Sequence, residues 1–286
     1  MNSFKKILLL LAATLSVVAF SLVDQRFDFQ KINLDRVVKS LISKDENPTV
    51  LENAKNLVIE QKIRNALPKN TLLNMQVAVF DKSRSKTFVA SNNKKVTSYP
   101  TASIVKVAIA YRTLSKEINQ PQILANMLMN SSNVAATSLY LSSPNLNATF
   151  KQLKMTNTFN NSTWGLTMTT ANDQLKLLQA IFNHKNSDLT EKQALEIQTD
   201  MNIENVAKDQ NWGISNVANA RNIYLKNGWL YQDEYGWIIN SIGSVELKNG
   251  HQYLIAILTN GGAGKGNSIV QIEKTASKIF KILNSK

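Results

Sequence analysis

The sequence predicts an α+β fold: one antiparallel sheet of about five strands, flanked by helices and carrying a reduced helical lobe. Three observations predict it. Two β-rich runs lie early in the chain and three lie late, with a helical block between them. Helical patterns open and close this series. Cysteine is absent and 43% of the 286 residues are hydrophobic, so a buried core must hold the chain without disulfides. Joining both strand groups in one sheet is the economical solution. The first and last helices then cover one face and the middle block the other.

The elements follow in order. Residues 1–23 read as a signal peptide or signal anchor: "MNSFKK" is basic, and Ile7–Val23 is an unbroken run of apolar and small residues. The run lies between a signal-peptide core and a short membrane span in length. Its only small-x-small site near the end, Ala19-Phe20-Ser21, is weak, which favours retention. Lys5 and Lys6 would then stay cytoplasmic, with the rest of the chain outside. Residues 24–49 read as a linker or stalk with a short helix at 32–43, and residues 50–286 as the folded domain. "PTVLENAKNLVIEQKIRNAL" (48–67) opens that domain as a helix. "NMQVAVFD" and "KTFVAS" are strands split by the turn "KSRS". From Ser103 to about residue 200 the chain reads helical, with polar breaks at 117–121, 142–147 and 157–170. Strands follow at 221–230, 236–247 and 252–259, and "VQIEKTASKIFKIL" closes the chain as an amphipathic helix.

"SYPTASIVKVAIAYRTL" (98–114) carries the first chemistry. Ser103 and Lys106 are three residues apart and share a helix face. The residues after them are apolar on most sides, and a lysine buried there is costly without a role or a partner. Two readings stand on spacing alone: a serine nucleophile with a lysine base, or a helix start followed by a snorkelling lysine. Ser-x-x-Lys recurs at Ser3, Ser83 and Ser91, but only the copy at Ser103 opens a long apolar helix.

Composition removes other chemistries. Without cysteine there is no thiolate catalysis, no Cys-ligated zinc and no lipoprotein anchor. His184 and His251 sit in polar, surface-like stretches with no partner at metal-ligand spacing, so no metal and no cofactor is expected. The net charge of +13 comes from scattered lysines and arginines without aromatic interleaving. That argues against nucleic acid and for a solvated basic surface, with attraction to anionic wall polymers or lipid head groups as the functional option.

Two further motifs follow. Ser131-Ser132-Asn133 lies at a junction between apolar helical runs, and Lys226-Asn227-Gly228 lies inside a β-rich run. Each has an ordinary reading beside the functional one: a helix N-cap, a helix-start polar residue, an exposed strand lysine. A second Lys-Asn-Gly, at 248–250, reads as a hairpin turn. The tryptophans at 164, 212, 229 and 237 read as core before ligand platforms.

Ser-x-x-Lys, Ser-x-Asn and Lys-(Thr/Ser/Asn)-Gly, in that order, resemble the penicillin-recognising serine hydrolases, which include class A β-lactamases and D,D-peptidases. The resemblance covers about residues 50–286 and implies a β-lactamase/transpeptidase-like fold. It implies Ser103 as nucleophile, Lys106 as its base and Ser131 as proton relay to the leaving nitrogen. It implies Asn133 as holder of the substrate amide, and Lys226, Asn227 and Gly228 as the motif that meets the substrate carboxylate. Asn227 replaces a hydroxyl residue and offers a side-chain amide instead. The backbone N–H groups of Ser103 and Trp229 would form the oxyanion hole. Lys106 must be partly neutral to act, and a three-unit drop from about 10.4 costs roughly 4 kcal/mol. Burial and a nearby cation, Lys226, both push that way.

Two departures from the family follow. The stretch between Ser103 and Ser131 is short, so the cleft is expected to be more open. The stretch 154–170, where class A enzymes carry the glutamate that activates the deacylating water, contains no acid, and none occurs between Glu117 and Asp173. Asp173 reads as a first-turn helix residue. The expectation is an extracytoplasmic serine hydrolase, secreted or anchored to the outer face of the membrane. It forms an acyl-enzyme with a β-lactam or a small peptidoglycan-derived D-alanyl substrate and releases it slowly. The alternative is a non-hydrolytic penicillin- or wall-binding module with the same fold.

Overall fold

The computed structural model describes residues 48–69, 71–160 and 163–285. The targeting segment, the stalk and the helix expected at 32–43 lie outside the described residues. The chain divides into two compact units, Met1–Val58 and Ile59–Lys286. Of the first, only the opening turns of helix α1 (Pro48–Ala66) are described. The second unit holds the sheet and everything discussed below.

Its strands are β1 (Asn74–Asp81), β2 (Lys86–Ser91), β5 (Ala220–Gln232), β6 (Gly236–Leu247) and β7 (Gln252–Gly262). They form one antiparallel sheet, as the sequence predicts, and its strand order is β2-β1-β7-β6-β5. Early and late strand groups join at β1 and β7, where Val77 faces Ile257 across the ladder. The turn after β1 closes on the buried carboxylate of Asp81. It accepts the Ser83 backbone N–H at 3.0 Å and pairs with the Arg84 guanidinium. Lys248-Asn249-Gly250 is the β6–β7 turn, with Gly250 at φ +82° as such a turn requires.

Side chains alternate between two cores, because successive strand residues face opposite ways. Val77 and Val79 of β1, with Ile255 and Ile257 of β7, meet Ile63 and Leu67 and the last helix, α8 (Lys265–Asn284), which contributes Ile272, Ala276 and Ile279. Ala78, Leu254, Ala256, Leu258 and Ile242 face the helical block. That block comprises α2 (Lys106–Ser115), α3 (Pro121–Met129), α4 (Asn133–Ser142), α5 (Leu146–Gln152), α6 (Ala171–Phe182) and α7 (Glu191–Met201). The helices break at 130–132, the junction expected at Ser131-Ser132-Asn133, and also at 183–190, a break the sequence pattern does not mark. A two-residue ribbon, β3 (Tyr99–Pro100) with β4 (Met168–Thr169), is also new. It ties the strand-like approach to Ser103 to the end of the loop after α5.

Gly243 of β6 lies directly against the backbone of β5. A methyl group there would lie 1.9 Å from the carbonyl oxygen of Tyr224, a backbone atom that cannot give way. Gly243→Ala is therefore expected to lower stability by about 3 kcal/mol or more, the upper range for overpacking, measured by denaturant unfolding. Gly250→Ala, where nothing lies within 4 Å, should cost only the strain of its positive φ, about 1–2 kcal/mol.

Candidate active site

Ser103 lies in a short 3₁₀ turn, Ala102–Val105, that runs directly into α2. The turn is approached through strained backbone: Ala102 sits at φ +47°, a region that alanine adopts at a cost. What holds it there is Asn240 of β6. Its buried side-chain amide donates to the carbonyls of Pro100 and Thr101, each at 2.9 Å, and its Oδ1 accepts the Thr259 N–H at 3.0 Å. On the other side, the Thr101 N–H donates to the Thr167 carbonyl at 2.8 Å. The nucleophile candidate is thus clamped from the sheet and from the loop.

Lys106 is 0% exposed, and its Nζ touches four oxygens. Ser131 O lies at 2.6 Å, Asn133 Oδ1 at 2.7 Å, and Ser103 Oγ and Ser131 Oγ each at 3.1 Å. Their chemistry sorts them. The two carbonyl-type oxygens can only accept, so both protons of a neutral amine go to them. The lone pair is left facing the two hydroxyls, where it can take a proton from Ser103. Burial pushes Lys106 down to about 8, which makes that neutral form accessible. The Trp164 ring stands 5.2 Å from Nζ.

Lys226 comes from the opposite wall. Its Nζ is 2.9 Å from Ser131 Oγ and 3.0 Å from the Asn227 carbonyl. Burial, and then the charge of Lys106, push it down to about 7, against a smaller upward pull from Asp209. Ser131 therefore bridges two amines. Its backbone is at φ +54°, and the N-cap of α4 is the neighbouring Ser132, whose Oγ accepts the Ala135 N–H. Ser131 is free of that duty and turned into the cleft.

The alternation along β5 decides the other residues of the third motif. Lys226 and Gly228 face the helical block. A methyl on Gly228 would lie 2.6 Å from Ser103 N and 2.8 Å from Ile104 N, so the strand backbone runs directly against the nucleophile's amide. On the open edge of β5, Ile223 O accepts the Ile203 N–H. Two-residue alternation then turns the Trp229 N–H to that same edge, away from β6. The Trp229 side chain faces the α8 side, 45% exposed, with Lys265 Nζ 3.5 Å from its ring.

Asn227, expected to offer its amide to a substrate carboxylate, is turned away from Lys226. Both of its N–H groups are spent on backbone carbonyls, Gln210 O at 2.7 Å and Trp212 O at 2.9 Å. It fastens the 207–215 strap instead. Asn133 is exposed at the start of α4, and Lys106 engages its Oδ1, so only its Nδ2 is left for a substrate. Asp173 is in the first turn of α6 and fully buried. It accepts the Asn157 N–H at 2.8 Å and the Thr158 hydroxyl at 2.9 Å, and pairs with Lys176. It braces the back of the 153–170 loop and does not face Ser103. His184 is exposed, and His251 faces Tyr253 after the β6–β7 turn. Among the described residues no group of three metal-ligating side chains gathers.

A sheet of this order, flanked by helices, with serines and lysines converging at its β5 edge, defines the class A β-lactamase type of fold. A class A β-lactamase from Bacteroides cellulosilyticus superposes with a TM-score of 0.68 at 18% identity, covering 81% of this chain and 99% of that one. PBP-A superposes at 0.66 with 15% identity, covering 79% and 96%. A PBP-A variant described as an acyl-enzyme complex with penicillin G gives 0.64 at 16% identity, covering 79% and 96%. The beta-lactamase enzyme family matches residues 115–283, and the chain belongs to that family. The matched span begins just after Ser103 and Lys106. No curated protein matches the sequence.

The Asn240 clamp has a measurable consequence. Asn240→Ala removes the side-chain donors to the Pro100 and Thr101 carbonyls, leaving Thr101 O only the long Ile104 N–H bond at 3.4 Å, and removes the acceptor of the Thr259 N–H, which should cost about 2–4 kcal/mol in denaturant unfolding. Asn240→Asp keeps the acceptor for Thr259 and should lose less stability. Both should slow any acylation of Ser103 more than they alter the fold, read by circular dichroism beside a rate of acylation.

Proposed function

We propose that this chain is a serine hydrolase that forms an acyl-enzyme at Ser103 with β-lactams or D-alanyl wall peptides and releases it slowly. The single observation that carries the reading is Lys106. A fully buried amine with two fixed acceptors keeps its lone pair for Ser103 and Ser131, and a pure binding module has no use for it. In this mechanism Ser103 Oγ attacks the acyl carbon as its proton passes to Lys106. The developing oxyanion is met by the Ser103 and Trp229 amides. Ser131 passes a proton to the leaving nitrogen, and Lys226 attracts the substrate carboxylate. The PBP-A variant described with penicillin G lends support by fold.

Slow release rests on the loop after α5. Its described residues carry no acid, Asp173 is spent behind it, and an indole ring borders the base. A carboxylate that could activate water there would contribute about 10²–10⁴ in rate. The basic start and the apolar run Ile7–Val23 support a place outside the cytoplasmic membrane. The net charge of +13 supports attraction to anionic wall polymers.

Intact mass after mixing with penicillin, followed in time, tests the reading. The expected result is one adduct per chain that persists for minutes or longer. Ser103→Ala should abolish it, and Lys106→Ala should slow its formation by about 10²–10⁴. Rapid turnover without an adduct would disprove slow release. No adduct and no turnover would favour the non-hydrolytic wall-binding alternative.

The lysine pair also sets a pH profile. Two ammonium groups sharing Ser131 repel, so between about 7 and about 8 the pair holds one proton. The substrate carboxylate draws that proton to Lys226 and leaves Lys106 as base. Acylation measured as kcat/KM is expected to peak in that window. Below it the base gains a proton, and above it Lys226 loses its charge. A rate that climbs steadily to pH 10 would contradict the role given to Lys226.

A further inference from the structure

A second cavity, of about 370 Å³, opens behind the 153–170 loop, between the β1–β2 turn and α6. Lys154, Lys176 and Lys185 line it, and no aspartate or glutamate does. Lys176 is balanced by Asp173 at 2.7 Å. Lys154 and Lys185 have no carboxylate in salt-bridge range among the described residues, so two positive charges face the space uncompensated. Three tight turns bring the rim together: Ser85, Lys154 and Asn186 all line the cavity and all lie at positive φ.

The wall carries an independent mark. Gln179 lines the cavity, is only 9% exposed, and its side-chain amide makes no hydrogen bond to any described residue. The amide meets only solvent in that space and is available to a ligand that enters it. Phe80, Leu153 and Leu175 supply an apolar wall beside it.

We propose that this cavity binds a phosphate ester. A phosphoryl group carries nearly two negative charges and several acceptor oxygens, matching two free ammonium groups and an amide donor. The apolar wall suits the ester's organic part. The site is separate from Ser103 and does not depend on the acyl-enzyme reading.

Calorimetric titration with glycerol 3-phosphate, and amide resonances of residues 172–186, test it. The expected result is saturable one-to-one binding that shifts those resonances. Lys154→Glu with Lys185→Glu should weaken it about tenfold or more, since charge-assisted hydrogen bonds are lost. Lys274→Glu with Lys278→Glu, an exposed pair on α8 with the same charge change, should weaken it less than threefold. Gln179→Leu should weaken binding at an unchanged melting temperature without ligand. Equal loss in both lysine pairs, an unaffected Gln179→Leu, or no saturation would overturn the proposal. With binding established, a poly(glycerol phosphate) chain that competes for the same resonances assigns the site to a phosphodiester polymer. One that does not compete assigns it to a free ester.

Discussion

Two amines meeting at one hydroxyl are the constraint on which the rest depends. Lys106 and Lys226 are both buried, and each lies within 3.1 Å of Ser131 Oγ. Two ammonium groups so placed cannot both keep their protons at ordinary cost. The protein brings them from different elements, a helix start and an edge strand, and surrounds them with fixed acceptors. Everything near them serves that meeting: the strained Ala102 and Ser131 backbones, the Asn240 clamp and the absence of a side chain at Gly228.

Much of this was legible in the sequence because it is carried by local patterns. Helix and strand periods predict the elements, and the order of runs predicts that both strand groups join in one sheet. Ser103, Lys106, Ser131 and Lys226 stand in short motifs at helix and strand positions that can face one cleft. Asn227 shows the limit of a motif read as a string. In a strand, neighbours point to opposite faces, so Asn227 could not share the cleft with the Lys226 side chain. Its actual partners, Gln210 and Trp212, lie in a stretch without strong periodicity.

Asn240 and Trp164 were not legible for another reason. An asparagine in an apolar β-run carries no signal until β6 is registered against β5. That register puts Asn240 opposite Gly228, and Gly228 against Ser103. Its partners Pro100 and Thr101 are about 140 residues away in sequence. Trp164 reaches Lys106 across a loop whose course only the β3–β4 ribbon decides. Such contacts are consequences of the fold and leave no trace in spacing.

The two cores give the unit a front and a back. The helical block and the cleft occupy one side of the sheet; Ile63, Leu67 and α8 occupy the other. The unit's polypeptide therefore begins and finishes on the side away from Ser103. Fusion after α8 adds mass behind the sheet, where it does not crowd the cleft.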